Sequence, residues 1–341
     1  MTQATVAHKS QASQIPALST KHLLSIGNLS ATELQQIILL ARANKEDPSI
    51  LAGSLAGTST IMLFEKASLR TRVSFEVGIT KLGGHAMYFD HSKEPIGKRE
   101  PVKDYALNLE RWVDCVIARV NNHETLAGLA HYGSVPVVNA LCDVEHPCQA
   151  IADLMTLEEH LGDLHGAKLA YIGDGNNVCH SLILACAKLG VHMTVITPVG
   201  FEPQFEIVRA SQPDALVSGA TLKITNDVRA IESHDAVYTD KWVSMGQDHQ
   251  QALRDGAFDE YQVSSELMQL ASKGGRNALF MHCLPAVRGE EVTADVIDGR
   301  HSIVYDQAEN RMHAQMALLA ALIPSKAGTT PAGHRSHVSA T

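Results

Sequence analysis

Five consecutive residues, Ser68-Leu69-Arg70-Thr71-Arg72, place two hydroxyls and two guanidiniums where an apolar run gives way to a helical pattern. The first turn of a helix carries unpaired N–H groups and about half a positive charge, so an anion is its natural ligand. Arginine adds a planar fork that matches phosphate oxygens. The same residues also describe an exposed helix start with two solvated arginines.

Other residues with chemical potential fall at the ends of apolar runs. Arg119 closes Cys115-Val116-Ile117-Ala118-Arg119, and a guanidinium there needs either an anionic ligand or a structural carboxylate. His146-Pro147-Cys148-Gln149 opens a long helical pattern, with proline suited to its first turn. That spacing lets His146 and Gln149 face one cavity as donors to a carbonyl or phosphate oxygen. Gly173-Asp174-Gly175-Asn176-Asn177 follows another apolar run and matches half of a dinucleotide fingerprint. The third glycine is missing, and the next run ends Ile196-Thr197-Pro198 without an acid to hold a ribose, which argues against a nicotinamide cofactor. Asn177 is then either a helix cap or a donor to a carboxylate. In the segment from Tyr238 to Gly246, Asp240 can hold an ammonium group. His282-Cys283-Leu284-Pro285 ends an apolar run, where proline stops the strand ladder and leaves carbonyls free to accept. Cys283 is a packing residue or a polarised thiol. Glu309-Asn310-Arg311 opens the last strong helix, read over residues 308–322, and supplies a further guanidinium.

The elements that must position these residues follow from periodicity. Ser30 and Glu33 form a capping-box pattern that opens a helix over residues 31–44, preceded by a loose arm. From Thr58, short β-rich runs alternate with helical patterns, first to about residue 150 and again beyond the helix that starts at Pro147. Such alternation predicts an α/β fold of two domains, each a parallel sheet flanked by helices. We place the domains at residues 1–150 and 151–307, with the helix at 308–324 returning to the first and residues 325–341 forming a disordered tail.

Composition narrows the partners. A chain of 341 residues, 45% of them hydrophobic, can build a core in each of two domains. The net charge of −9 argues against nucleic acid, and no run of about 18 apolar residues predicts a membrane span. Six cysteines without a CxxC pair read as buried thiols, and the 18 histidines lack metal-ligand spacing, so we expect no metal. Without a signal-peptide pattern, a cytoplasmic location is the expectation.

Taken together, the SxRTR segment, HPCQ, the D-x-W-x-SMG segment, HCLP and ENR resemble the transcarbamoylase family, over residues 26–322. The SMG loop and HCLP resemble its ornithine branch. The resemblance implies transfer of a carbamoyl group from carbamoyl phosphate to the side-chain amine of L-ornithine, giving L-citrulline and phosphate in arginine metabolism. It implies that Ser68, Leu69, Arg70, Thr71, Arg119, His146 and Gln149 hold carbamoyl phosphate, with Arg311 and the Leu284 carbonyl near the carbamoyl group. It also implies that Asn177, Asp240, Ser244 and Met245 hold ornithine, with Cys283 beside the reacting amine and Leu284 touching both substrates. Arg119, His146, Asp240, Cys283 and Arg311 are the implied catalytic set. Members work as homotrimers or assemblies of trimers, without metal or organic cofactor. Sibling activities on putrescine or an N-acylated ornithine, and a non-catalytic relative, are the alternatives. Two positions depart from the family pattern. Leu69 offers only its backbone N–H, and Pro95 stands where relatives reach a neighbouring subunit's phosphate, so either His91, Lys93 or Lys98 substitutes there or the segment is a solvated loop.

Overall fold

The structure is a computed structural model that describes residues 14–242 and 256–324. Helix α1 (Ala31–Glu46) begins at the expected capping box: the Ser30 hydroxyl accepts the Glu33 N–H, and the Glu33 carboxylate accepts the Ser30 N–H. The segment before it is a packed element, contrary to the expected loose arm. Leu23 is fully buried and exchanges backbone hydrogen bonds with Val137 and Asn139. A short turn, Ile26–Asn28, buries Ile26, whose N–H donates to Glu145. Leu23, Ile26 and Leu29, spaced three apart, are the apolar signal for this segment.

The first sheet is built from β1 (Ser59–Phe64), β2 (His85–Asp90), β3 (Cys115–Arg119) and β4 (Val137–Leu141), linked by α2 (Leu69–Lys81), α3 (Val102–Leu109) and α4 (His123–Tyr132). Its strands run parallel in the order β2-β1-β3-β4. Helical crossovers are what parallel pairing requires. After α5 (Pro147–Leu161), a second parallel sheet has the order β7-β6-β5-β8-β9, from β5 (Lys168–Ile172), β6 (His192–Ile196), β7 (Leu222–Thr225), β8 (Ala236–Thr239) and β9 (Leu279–His282). Helices α6 (Asn177–Leu189), α7 (Phe205–Ser218), α8 (Ser265–Ala271), α9 (Ala294–Ile297) and α10 (Val304–Leu322) complete the described α-helices.

Helix α10 returns to the first sheet and packs on α1, α2 and α5, as expected. One apolar core joins Leu34, Ile37 and Ile38 of α1 with Ile151 and Leu154 of α5, Leu182 of α6, and Leu318 and Leu319 of α10. This core fixes the two sheets against each other. The start of α10 differs from expectation: it begins at Val304, so Glu309, Asn310 and Arg311 lie in its second turn rather than at its opening. No side chain caps this helix, so the sequence carried no start signal there.

In each sheet the strand order reverses once, between β1 and β3 and between β5 and β8. Crevices at such reversals, beyond the C-terminal strand ends, are where open α/β sheets bind ligands. No helix among the described residues is long and apolar enough to cross a membrane. The tail at 325–341 lies outside the described residues.

Candidate active site

A cavity of about 620 Å³ opens between the two reversals. Ser68, Leu69, Arg70 and Arg119 line it from the first sheet, and Asn176, Asn177 and Asp240 from the second. His146 joins them from the N-cap of α5, Cys283 and Leu284 from just after β9, and Arg311 from α10. The sequence-predicted residues thus converge, apart from two that stand one layer back and two that lie outside the described residues, Ser244 and Met245.

Local sequence explains the first wall. Ser68 is the N-cap of α2, and its hydroxyl accepts the Thr71 N–H. This leaves the N–H groups of Leu69 and Arg70 in the unpaired first turn. Arg72 turns elsewhere: its guanidinium lies 3.9 Å from the centre of the Tyr88 ring and pairs with Glu76. Of the motif's two arginines, Arg70 alone lines the cavity.

Behind this wall stand Thr71 and Gln149. The Thr71 hydroxyl accepts from Arg119 Nη1 at 3.3 Å and from Arg311 Nη2 at 2.5 Å. Gln149 Oε1 accepts from Arg311 Nη1 at 3.1 Å, while its Nε2 donates to Asp153 at 2.7 Å. Both side chains therefore position arginines rather than line the cavity themselves.

Arg119 and Arg311 are each only 4% exposed, and neither forms an ion pair with a carboxylate among the described residues. Burial first, and the Arg311 charge second, pull the Arg119 pKa below its ordinary value; burial does the same to Arg311. Binding an anion would relieve both penalties. His146 is buried beside them, and burial followed by the two guanidinium charges pushes its pKa well below the usual value. Its imidazole is accordingly neutral near pH 7. Arginine has only donors, so His146 Nε2 accepts from Arg311 Nη2 at 3.2 Å and the ring proton sits on Nδ1. That Nδ1–H is buried without a hydrogen-bond partner among the described residues, as are the Nε–H groups of Arg119 and Arg311.

The opposite wall offers an acid. Asp240 Oδ2 accepts from the Asn176 amide at 2.9 Å, and Oδ1 accepts from the Cys283 thiol at 3.1 Å and from the Lys241 N–H. Burial and the adjacent Asp240 charge hold the Cys283 thiol well above its ordinary pKa, so it is a donor rather than a thiolate. Asn176, not Asn177, caps α6 by accepting from Val178 and Cys179. The Asn177 amide instead donates to the Cys142 carbonyl at 2.6 Å, across the cavity floor. Gly175 has no room for a side chain, because a Cβ there would lie 2.3 Å from the Pro203 nitrogen. This packing, not a pyrophosphate, accounts for the glycine.

Leu284 adopts a left-handed backbone, φ 59°, and His282 and Glu291 fix it. The Leu284 N–H donates to His282 Nδ1, and His282 Nε2 donates to the buried Glu291 carboxylate. Asp240, His282 and Cys283 are close enough to suggest a metal site, but both His282 nitrogens are already committed. His91, one of the substitutes for the Pro95 position, is buried against Phe89 and Tyr105, whereas Lys93 and Lys98 are exposed.

Sequence reading missed Lys66, a half-buried cavity residue whose pKa burial lowers. Its place between β1 and the Ser68 cap was the available signal. It also missed Asp153 and Gln307, which look like ordinary helix positions until the packing is seen.

Known proteins resemble this chain along most of its length. The family model "Aspartate/ornithine carbamoyltransferase, carbamoyl-P binding domain" matches residues 21–159, and its partner "Asp/Orn binding domain" matches residues 165–322. The ornithine carbamoyltransferase of Moritella profunda is 48% identical over 303 residues, covering 89% of this chain and 99% of that protein. That of Halalkalibacterium halodurans is 49% identical over 316 residues, covering 91% and 97%. The structure of ornithine carbamoyltransferase from Pyrococcus furiosus superposes with a TM-score of 0.86 at 43% identity, covering 91% of this chain and 99% of that one. The chain belongs to the aspartate/ornithine carbamoyltransferase family.

Proposed function

We propose that this protein transfers the carbamoyl group of carbamoyl phosphate to the side-chain amine of L-ornithine, giving L-citrulline and phosphate in arginine metabolism. The observation that carries this is one cavity with two buried, carboxylate-free arginines and a neutral His146 facing Asp240 and Cys283. A bound dianion balances the arginines, and an α-ammonium balances the acid. Aspartate as acceptor would instead bring a second carboxylate to Asp240.

In this reading the Ser68 hydroxyl, the N–H groups of Leu69 and Arg70, and the guanidiniums of Arg70 and Arg119 hold the phosphate. Thr71 and Gln149 act through the arginines they orient. Arg311 donates to the carbamoyl oxygen, where negative charge grows as the amine attacks, and the neutral His146 beside it accepts from Arg311 Nη2 and holds it there; one such donor is worth about 3 kcal/mol. The Leu284 carbonyl accepts from the carbamoyl nitrogen. Asp240, Cys283, Asn177, Ser244 and Met245 hold ornithine.

An amine of this kind has a pKa of about 10.4, so neutralising it at pH 7 costs about 4–5 kcal/mol. His146 is already neutral but its remaining lone pair is occupied by Arg311, and the Cys283 thiol is a donor. The departing phosphate is then the acceptor: the amine nitrogen bonds to the carbamoyl carbon, the carbon–oxygen bond to phosphate breaks, and phosphate carries the amine proton away.

We assign carbamoyl-phosphate binding to residues 1–150 with the helix at 308–324, and ornithine binding to residues 151–307. Val73 and Val77 of α2 and Met87 and Phe89 of the edge strand β2 are exposed on adjoining elements beside the Ser68 cap. Such an apolar surface supports a homotrimer or an assembly of trimers, measurable by light scattering. Six free cysteines suit a reducing compartment, and we place the reaction in the cytoplasm. Purified protein given carbamoyl phosphate with ornithine, putrescine or N-acetylornithine tests the assignment: ornithine is expected to give the highest kcat/KM, and preference for either rival acceptor would overturn it.

A further inference from the structure

Asp153 lies on α5, fully buried and one layer behind the cavity. One of its carboxylate oxygens accepts two amide donors, Gln149 Nε2 at 2.7 Å and Gln307 Nε2 at 2.9 Å. An amide whose nitrogen is fixed has its oxygen fixed as well. Gln149 Oε1 consequently faces Arg311 Nη1, and Gln307 Oε1 accepts the backbone N–H of His282 at 2.9 Å. His282 immediately precedes Cys283 and Leu284. A single acceptor atom thus sets two glutamines that reach opposite walls of the cavity, one through α10's guanidinium and the other through the end of β9.

We propose that Asp153 is a positioning residue that holds Arg311 in register with the Cys283-Leu284 turn, through the paired amides of Gln149 and Gln307. This rests on the reading above, in which Arg311 and that turn touch the two substrates. Without the acceptor, either glutamine can rotate its amide by half a turn and present Nε2 where Arg311 or the His282 N–H needs an oxygen. Donor then faces donor, and both walls shift. The groups facing Asp153 from its surroundings are Arg311 of α10, Tyr238 of β8, Cys186 of α6 and Cys283 after β9.

Asp153→Leu and Asp153→Asn separate this role from simple packing. Leucine fills the space without an acceptor, whereas asparagine keeps one oxygen for both glutamines. We expect Asp153→Leu, folded by circular dichroism, to lose about 30-fold in kcat and about 10-fold in affinity for inorganic phosphate measured by calorimetry, because Arg311 shares the Thr71 hydroxyl with Arg119 and its shift reaches the phosphate-holding guanidinium. Asp153→Asn should recover most of both. A folded Asp153→Leu with unchanged kcat and phosphate affinity overturns the proposal, as does an asparagine variant no better than the leucine variant. If the leucine variant does not fold, Gln307→Leu decides. It should lose about 10-fold in kcat with phosphate affinity unchanged, and an unaltered kcat overturns the proposal. Absence of citrulline formation by the unmodified protein would instead refute the functional reading, while the phosphate titrations would still report on Asp153.

Discussion

On the β1–β3 side of the cleft Arg119 and Arg311 are buried with no carboxylate ion pair among the described residues, whereas on the β5–β8 side Asp240 is already held by Asn176, Cys283 and the Lys241 N–H. The first wall carries uncompensated positive charge on a rigid frame of strand ends, a helix cap and a returning helix. The second has its charge locally satisfied. An anion should therefore gain much on the first side, while a cation on the second competes with hydrogen bonds already made. On the proposed function, affinity should be concentrated in one wall and acceptor choice in the other.

Breaking the first wall should cost most. Arg119→Met is expected to lower kcat/KM for carbamoyl phosphate by about a thousandfold, the usual scale for removing a buried charge partner. It should leave the KM for ornithine within a few-fold in steady-state assays. Asp240→Asn is the reciprocal test. It keeps the shape and the Asn176 side of the wall but removes the charge, so the KM for ornithine should rise about a hundredfold while calorimetric affinity for inorganic phosphate stays unchanged. If each variant damaged both substrates equally, the two walls would not divide the charge.

A pH profile sharpens the contrast. The Cys283 thiol is held well above its ordinary pKa and His146 well below, so neither titrates between about pH 7 and 9. Activity with saturating substrates should rise across that range because the bound amine must lose a proton. Cys283→Ser is expected to lower kcat about tenfold and keep the same slope; a flat profile in the variant would make the thiol the titrating group.

Stability offers a smaller effect. Burial pushes the Asp153 carboxyl up to about 6, from about 3.9 in an unfolded chain. The native state therefore holds the proton more tightly, and this group's contribution to stability falls as pH rises from about 4 to 6. Urea melts of Asp153→Asn against wild type should show the difference shifting in the variant's favour over that window. The mildest change is Glu33→Ala, which removes the acceptor of the Ser30 and Ser19 N–H groups and should cost about 2 kcal/mol in the same melts, with catalysis unaffected.

The parallel sheets were legible because their strands are short apolar runs bounded by glycine, proline and helical patterns, and strand ends expose the residues that do chemistry. Ser68, Arg119, His146, Asp240 and Cys283 all follow such ends, so sheet topology gathers each set, and the helical core between the two sheets brings the sets together. Arg311 was harder to place. It projects from the second turn of α10, and nothing in the uncapped Val304 start signals where that helix begins. Thr71 and Gln149 illustrate a different limit: motif membership put them at the site, but only packing reveals that they face arginines rather than the cavity. Gln307 and Leu23 were silent for the same reason, since their partners are far along the chain, and Asp153 is legible only once Gln307 is seen beside Gln149.

The most direct test of the account follows a ¹³C label from carbamoyl phosphate by NMR in the presence of L-ornithine and the purified protein. The division of the cleft predicts that the label appears on the side-chain nitrogen of citrulline, with phosphate released in equal amount. Phosphate release without labelled citrulline, or label on the α-amino nitrogen, would contradict it.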